Sequence, residues 1–232
     1  RRPPRRHLRT FALDRRARLE RRALQSQRDK SRYALLFLDL DHFKHINDSL
    51  GHAVGDRLLQ EIAQRLSHCV RASDSVGRLG GDEFLILLAD LSDAADAAGV
   101  AEKIIEHMAP PFELDNHRLS TSISIGIAIH PGDGKDTQEL MKNADTAMYH
   151  AKAGGRNTFR FFTEAMNAAA MERLMLDNAM RQALDRQEFR LVYQPQVCLV
   201  SGSIIGMEAL LRWRSASYGE VPPSRFIPLA ED

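Results

Sequence analysis

The chain has 232 residues, enough for one full domain and part of a second, and carries 32 Lys+Arg against 31 Asp+Glu. So even a balance excludes a chain built throughout to bind polyanions, and no apolar run approaches the length of a membrane span. The basic excess is local, in "RRPPRRHLRTFALDRRARLERR"; with Phe11 its single Phe, Tyr or Trp and without a long apolar face, it favours a solvated helix entry over a nucleic-acid or membrane patch.

After that segment, "YALLFLDLD" (33–41) is a nearly unbroken apolar run ending in acids, the pattern of a strand covered on both faces. The segment "FKHINDSLGHAVGD" leads into "RLLQEIAQRLSHCV", where Leu58, Leu59, Ile62, Leu66 and Cys69 recur at helical spacing. Ser73-Asp74 breaks that helix. "GRLGGDEFLILL" (77–88) then reads as a hairpin, with the turn at Gly80-Gly81 and "EFLILLA" as the returning strand. "SDAADAAGVAEKIIEHM" starts a helix at Ser92 as N-cap and stops before Pro110-Pro111. "LSTSISIGIAIH" alternates, with Ile123, Ile125, Ile127 and Ile129 on one face of a half-buried strand. "DTQELMKNADTAMYHAKAGG" is a helix closed by Gly154-Gly155, and "NTFRFF" a short last strand. The expected order is β-α-β-β-α-β-α-β, an α/β arrangement on a mixed sheet.

From Glu164 a helical stretch begins again, followed by "FRLVYQPQVCL", a turn at "VSGSI" and the strand "IGMEALLRWRS". Cys69 and Cys198 lie far apart in apolar surroundings and read as reduced core thiols. His42, His45 and His52 have no zinc-like spacing, and Met141 and Met148 read as core packing.

Four acids fall at two strand ends: Asp39 and Asp41, then Asp82 and Glu83. If those strands are neighbours, the carboxylates repel one another and invite a hard divalent cation. If they are not, the acids are ordinary solvated turns.

"RLGGDEF", with "FLDLDHFKHINDSLGHAVGD" upstream and "NADTAMYHAKAGGRN" downstream, resembles the GGDEF family of diguanylate cyclases from about Tyr33 to Phe162. The resemblance implies a nucleotide-cyclase-like palm, a central mixed β-sheet flanked by helices. It also implies the condensation of two GTP into cyclic di-GMP with release of two pyrophosphates. Asp39 and Asp82 match the family's metal-binding carboxylates, with the backbone carbonyl of Leu40, for Mg²⁺ or Mn²⁺. Glu83 matches the residue assigned to a second metal or to activating the attacking 3′-hydroxyl. Lys44, Lys152 and Arg156 match phosphate contacts; the last two share a helix face if the helix persists to the glycines. Asn47 and Asp56 match the guanine readers, Asp56 otherwise being a helix N-cap. "RASD" resembles the RxxD inhibitory product site through Arg71 and Asp74, with Arg78 joining it; otherwise these are a surface Arg–Asp pair.

The tail resembles the start of an EAL domain, the cyclic di-GMP phosphodiesterase family, through "YQP", "EALLRW" and "FIPLAE". Glu208 matches a metal ligand there, and Gln194 and Arg212 substrate contacts. A fragment with one such carboxylate is not expected to hydrolyse cyclic di-GMP. The expected domains are 1–163 for GGDEF, 164–176 for a linker helix and 177–232 for the truncated start of an EAL barrel. One departure stands out: the D-x-L-T-G-L-x-N-R-like turn that usually opens the family is not found intact. The resemblance implies a cytoplasmic enzyme that works as a homodimer on GTP, with no nucleic acid and no membrane contact within this chain, although an upstream region could anchor a longer parent. The alternative is a non-catalytic module that binds GTP or cyclic di-GMP and regulates an attached phosphodiesterase.

Overall fold

Strand β1 (Tyr33–Leu40) is buried along its whole length, which makes it the middle of the structure. The computed structural model describes residues 32–114 and 117–231, so the basic segment and the missing opening turn lie outside the described residues. These divide after Asn167 into two compact units.

In the first unit β1 is flanked by α1 (Phe43–Leu50), α2 (His52–Cys69), the hairpin β2 (Ser75–Gly80) and β3 (Glu83–Leu88), and α3 (Ala94–Met108). There follow a small hairpin β4 (Phe112–Leu114) and β5 (His117–Leu119), then β6 (Ile123–His130), α4 (Thr137–Ala153) and β7 (Phe159–Phe161). The five-stranded sheet runs β2-β3-β1-β6-β7, antiparallel except for the parallel β6–β7 pair. It is the mixed α/β sheet expected, with two differences in the elements. The segment after β1 forms two helices, because Gly51 takes a positive φ of 83° and breaks the run between them. The β4–β5 hairpin is too short to leave a periodic pattern.

Each face of β1 seeds one core layer. Ala34, Leu36, Leu38 and Leu40 pack with Leu58, Ile62 and Leu66 of α2 and Ala101 and Ile104 of α3. Tyr33, Leu35 and Phe37 pack with Leu140, Ala144, Ala147 and Met148 of α4. Met148 is buried and Met141 packs against this layer, as expected. Strand β6 is not half-buried as its alternation suggests: Ser124, Gly126 and Ala128 on the second face are buried too. Small residues there let α4 settle on the strand, so closely that a Cβ at Gly126 would overlap the backbone of Ala144 and Met148. Helix α3 is capped by Asp93, not Ser92; Asp93 and Asp96 form a capping box, and Asp96 also accepts the Ser92 N–H at 2.8 Å.

The second unit contains the end of α5 (Glu164–Ala183), a sheet of β8 (Phe189–Val197), β9 (Ile204–Ser215) and β10 (Gly219–Val221), and α6 (Pro223–Glu231). Its core is Leu176, Ala183, Trp213, Val221 and Phe226. The Trp213 indole donates to Glu188 at 2.9 Å. Cys69 is buried, whereas Cys198 sits half-buried at the β8–β9 turn, so only the first is a core thiol.

Candidate active site at the end of the central strand

The antiparallel register sets Asp39, near the end of β1, directly opposite Glu83, the first residue of β3. The β2–β3 turn is made by Gly81 and Asp82, with Gly80 paired to Glu83 as the last residue of β2. This shifts the turn one residue from the Gly80-Gly81 expected, since Gly81, at φ 51°, occupies the left-handed position. Arg78 donates through Nε and Nη2 to the Gly81 carbonyl at 2.9 and 2.6 Å and so ties the turn to its own strand.

Asp39 is buried and accepts an ion pair from Lys152 Nζ at 2.7 Å. Burial raises the Asp39 carboxyl above its ordinary range; Lys152 pulls it back, and Asp82 and Asp41 push it further up. Glu83 is raised for the same reason, first by desolvation and then by the charges of Asp39, Asp145 and Asp82. Three strand-end acids thus crowd one cation, as the sequence suggests. Asp145 is an addition that the sequence reading passed over. It lies seven residues before Lys152, two helical turns away on α4, and that spacing is the signal that could have found it.

Asp41, the fourth acid, is diverted into a structural role. Its carboxylate accepts from Ser122 Oγ at 2.6 Å, Ser124 Oγ at 2.8 Å and the Asn157 N–H at 3.1 Å, buried where β1 ends. These bonds fix the 154–158 turn against the sheet. The turn, not a helix face, carries Arg156: α4 stops at Ala153, Gly154 caps it, and Arg156 has φ 62° and is exposed. The helix-face relation to Lys152 therefore fails.

Across the Gly51 turn the Asn47 amide of α1 lies against Gly55 of α2, the residue before Asp56. Asp56 stands inside α2, whose N-cap is Gly51, so it does not cap the helix. It borders a cavity of about 120 Å³ with Gln60, Gly77, Arg78 and Phe84. Lys44 is exposed on the same short helix as Asn47. Arg78 thus sits between the turn and Asp56, while Arg71 and Asp74 occupy the α2–β2 turn. There Asp74 accepts the Arg71 and Ala89 N–H groups at 2.8 and 3.2 Å. In the second unit Gln194 and Glu208 are register partners; Arg212, four residues along β9, shares their face.

Among the described residues no group of three or more acidic, His or Cys side chains forms a ready-made metal cage. The donors present suit a different arrangement. Asp39, Asp82, Glu83 and the Leu40 carbonyl offer hard oxygen donors, the kind that could hold Mg²⁺ only with water and substrate phosphates completing its shell.

A diguanylate cyclase GGDEF-domain model matches residues 13–158 and an EAL-domain model residues 177–232. The chain belongs to the GGDEF family, followed by part of an EAL domain. It is 50% identical over 214 residues, 92% of its length, to the bifunctional diguanylate cyclase/cyclic di-GMP phosphodiesterase MucR of Pseudomonas aeruginosa, of which it covers 31%. It is 42% identical over 85% of its length to the cyclic di-GMP phosphodiesterase NbdA of the same organism, covering 25% of that protein. The chain therefore spans a third or less of these relatives. An EAL/GGDEF domain protein from M. capsulatus superposes with a TM-score of 0.62 at 48% identity, over 69% of this chain and 99% of that one. Among the described residues no helix is long and apolar enough to cross a membrane.

Proposed function

We propose that the first unit is a diguanylate cyclase that condenses two GTP into cyclic di-GMP. The observation that carries this reading is the register of Asp39 against Glu83 with Asp82 in the intervening turn. Asp39, Asp82 and the Leu40 carbonyl hold Mg²⁺ or Mn²⁺, with Glu83 beside them. When bound, the metal neutralises triphosphate charge and stabilises the leaving pyrophosphate.

The chain's own residues do the rest. Lys44, Lys152 and Arg156 bind phosphate oxygens, and Asn47 with Asp56 holds the guanine edge. Among the described residues, its own chain neighbours aside, nothing comes within 4 Å of the position a Cβ at Gly80 would take, so packing there does not explain the glycine. Its bare backbone suits close approach by a nucleotide. Glu83, raised above the ordinary carboxylate range, is suited to accept the proton of the 3′-hydroxyl. That oxygen attacks the α-phosphate of the other GTP and pyrophosphate leaves. One unit holds one GTP, so two copies meet face to face, and positioning supplies much of the acceleration. Product binds back through Arg71, Asp74 and Arg78. We assign the boundaries to 1–163, 164–176 and 177–232, and Gln194, Glu208 and Arg212 to the EAL-like face.

Incubation of the chain with GTP and Mg²⁺ tests this: cyclic di-GMP forms, and Glu83→Gln or Asp39→Asn lowers the rate by about 10²-fold or more. Absence of product from a dimerised chain refutes it. The second reading, a nucleotide-binding regulatory module, draws on the 42% identity to a protein named as a phosphodiesterase. It requires GTP binding without turnover, indifferent to Glu83→Gln.

A further inference from the structure

Gly55 lies on the inner face of α2, buried, in ordinary helical geometry. Its φ is not positive and it caps nothing, so the backbone gives no reason for glycine over alanine, the better helix former. The reason is a neighbour. The Gly51 N–H closes α1 on the Asn47 carbonyl at 2.9 Å, and Gly51 at φ 83° then turns the chain into α2. The Asn47 amide is thereby laid on the Cα of Gly55. A Cβ there would overlap Asn47 Oδ1, stand 3.0 Å from its Cγ and press on the Phe43 ring at 3.2 Å. Phe43 is buried, so the ring has little room to yield.

We propose that Gly55 is a positioning residue for base selection: its bare Cα seats the Asn47 amide at the start of α2, one residue along the chain from Asp56, and the two groups then read one purine edge together. This rests on the assignment of Asn47 and Asp56 as base readers. An amide can donate to a 6-oxo group while a carboxylate accepts from the adjacent N1–H and 2-amino group. A 6-amino purine offers Asp56 no N1–H or 2-amino donor and meets Asn47 with a donor where the amide N–H must point, so a displaced Asn47 costs selectivity as well as affinity.

The test is a double-mutant cycle on the full chain, with GTP and ATP binding measured by calorimetry in Mg²⁺ and Tm measured without nucleotide. Gly55→Ala is expected to weaken GTP by about tenfold and leave ATP unchanged. It also lowers Tm, against the helix-propensity trend. In the Asn47→Ala background the overlap with the amide is gone and only the 3.2 Å approach to Phe43 remains: Gly55→Ala then causes no further loss of GTP affinity and lowers Tm by less than it does in the native chain. If Gly55→Ala alone fails to fold, recovery of the fold in the double variant supports the same contact. A higher Tm with undiminished GTP affinity in Gly55→Ala overturns the proposal. A native chain that does not prefer GTP over ATP overturns the base-reader assignment and the role in selection with it; the Tm cycle separately reads whether Gly55 seats Asn47.

Discussion

Gly126→Ala should be the most damaging single-methyl change in the first unit. The residue sits in the middle of β6, paired to Phe37 of β1 on one side and to Arg160 of β7 on the other. The added Cβ would meet the Ala144 carbonyl oxygen and the Met148 N and Cα, all backbone atoms of α4. No rotamer change removes that overlap; the helix or the strand must move. Overpacking a rigid core costs about 1–3 kcal/mol, and a backbone-on-backbone clash belongs at or above the top of that range, so we expect about 3 kcal/mol. For a chain of this size that lowers Tm by roughly 6–12 °C at about 2–4 °C per kcal/mol. Because Lys152 rides on the same helix and reaches Asp39 at 2.7 Å, displacement of α4 also disturbs the site. Differential scanning calorimetry reads the first effect and GTP turnover the second. A Tm within about 1 °C of the native value refutes the claim that α4 is seated directly on Gly126.

Arg65 donates to the carbonyls of His107, Pro110 and Pro111 at 3.1, 2.6 and 2.9 Å and lies 3.6 Å over the Phe112 ring. Arg65→Ala should cost about 2–3 kcal/mol in a urea titration, with Lys recovering only part of it. Asp41→Ala leaves the hydroxyls of Ser122 and Ser124 and the Asn157 N–H without their shared acceptor. The expected loss is about 2–4 kcal/mol, with faster hydrogen exchange in the 154–158 turn. Glu83→Gln should slow turnover by about 10²-fold or more yet raise Tm. Glu83 titrates near 4.5 when unfolded and higher when folded, so the folded state holds a proton that the unfolded state has lost between those values. Stability therefore falls as pH rises through that window, and the deficit is complete above the folded pKa. The variant's gain should be present at about pH 7.5 and vanish below about pH 4; a gain that persists in acid refutes the repulsion account.

The sequence was legible wherever one local rule governed. The continuous apolar run of β1, the helical stripe of α2 and the alternation ending at Ile129 each announced an element, and the sheet brings Asp39, Asp82 and Glu83 together as their strand-end positions implied. Legibility failed where the deciding contact was distant in the chain. Nothing near Gly126 in sequence shows that α4 will lie on it, so β6 read as half-buried. Nothing near Asp41 shows that Ser122, Ser124 and Asn157 will take its carboxylate from the site. The helix-face relation of Arg156 to Lys152 fails for a local reason: α4 closes at the two glycines, as their pairing implies, and Gly155 and Arg156 both take positive φ beyond it.

These contacts explain how a repulsive cluster is held in place. Asp39 and Glu83 are both raised, mostly by burial and then by neighbouring acids (Asp82 and Asp41 for Asp39; Asp39, Asp145 and Asp82 for Glu83), so the strand ends carry electrostatic cost rather than stabilisation. They cannot drift apart, because they are register partners in the middle of a sheet whose two faces are packed against α2 and α3 on one side and α4 on the other. Arg78 pins the turn that carries Asp82, and Asp41 pins the loop that carries Arg156. The fixing is done by groups outside the acidic cluster, and among the described residues the cation paired with it is the ammonium of Lys152. A cation that binds the cluster removes that cost in the folded chain alone. Mg²⁺ should therefore raise Tm in the native chain, and by less in Asp39→Asn, even without nucleotide. An equal rise in both, read by calorimetry across a Mg²⁺ series, would show that the ion acts elsewhere and that the strand-end acids are not its site.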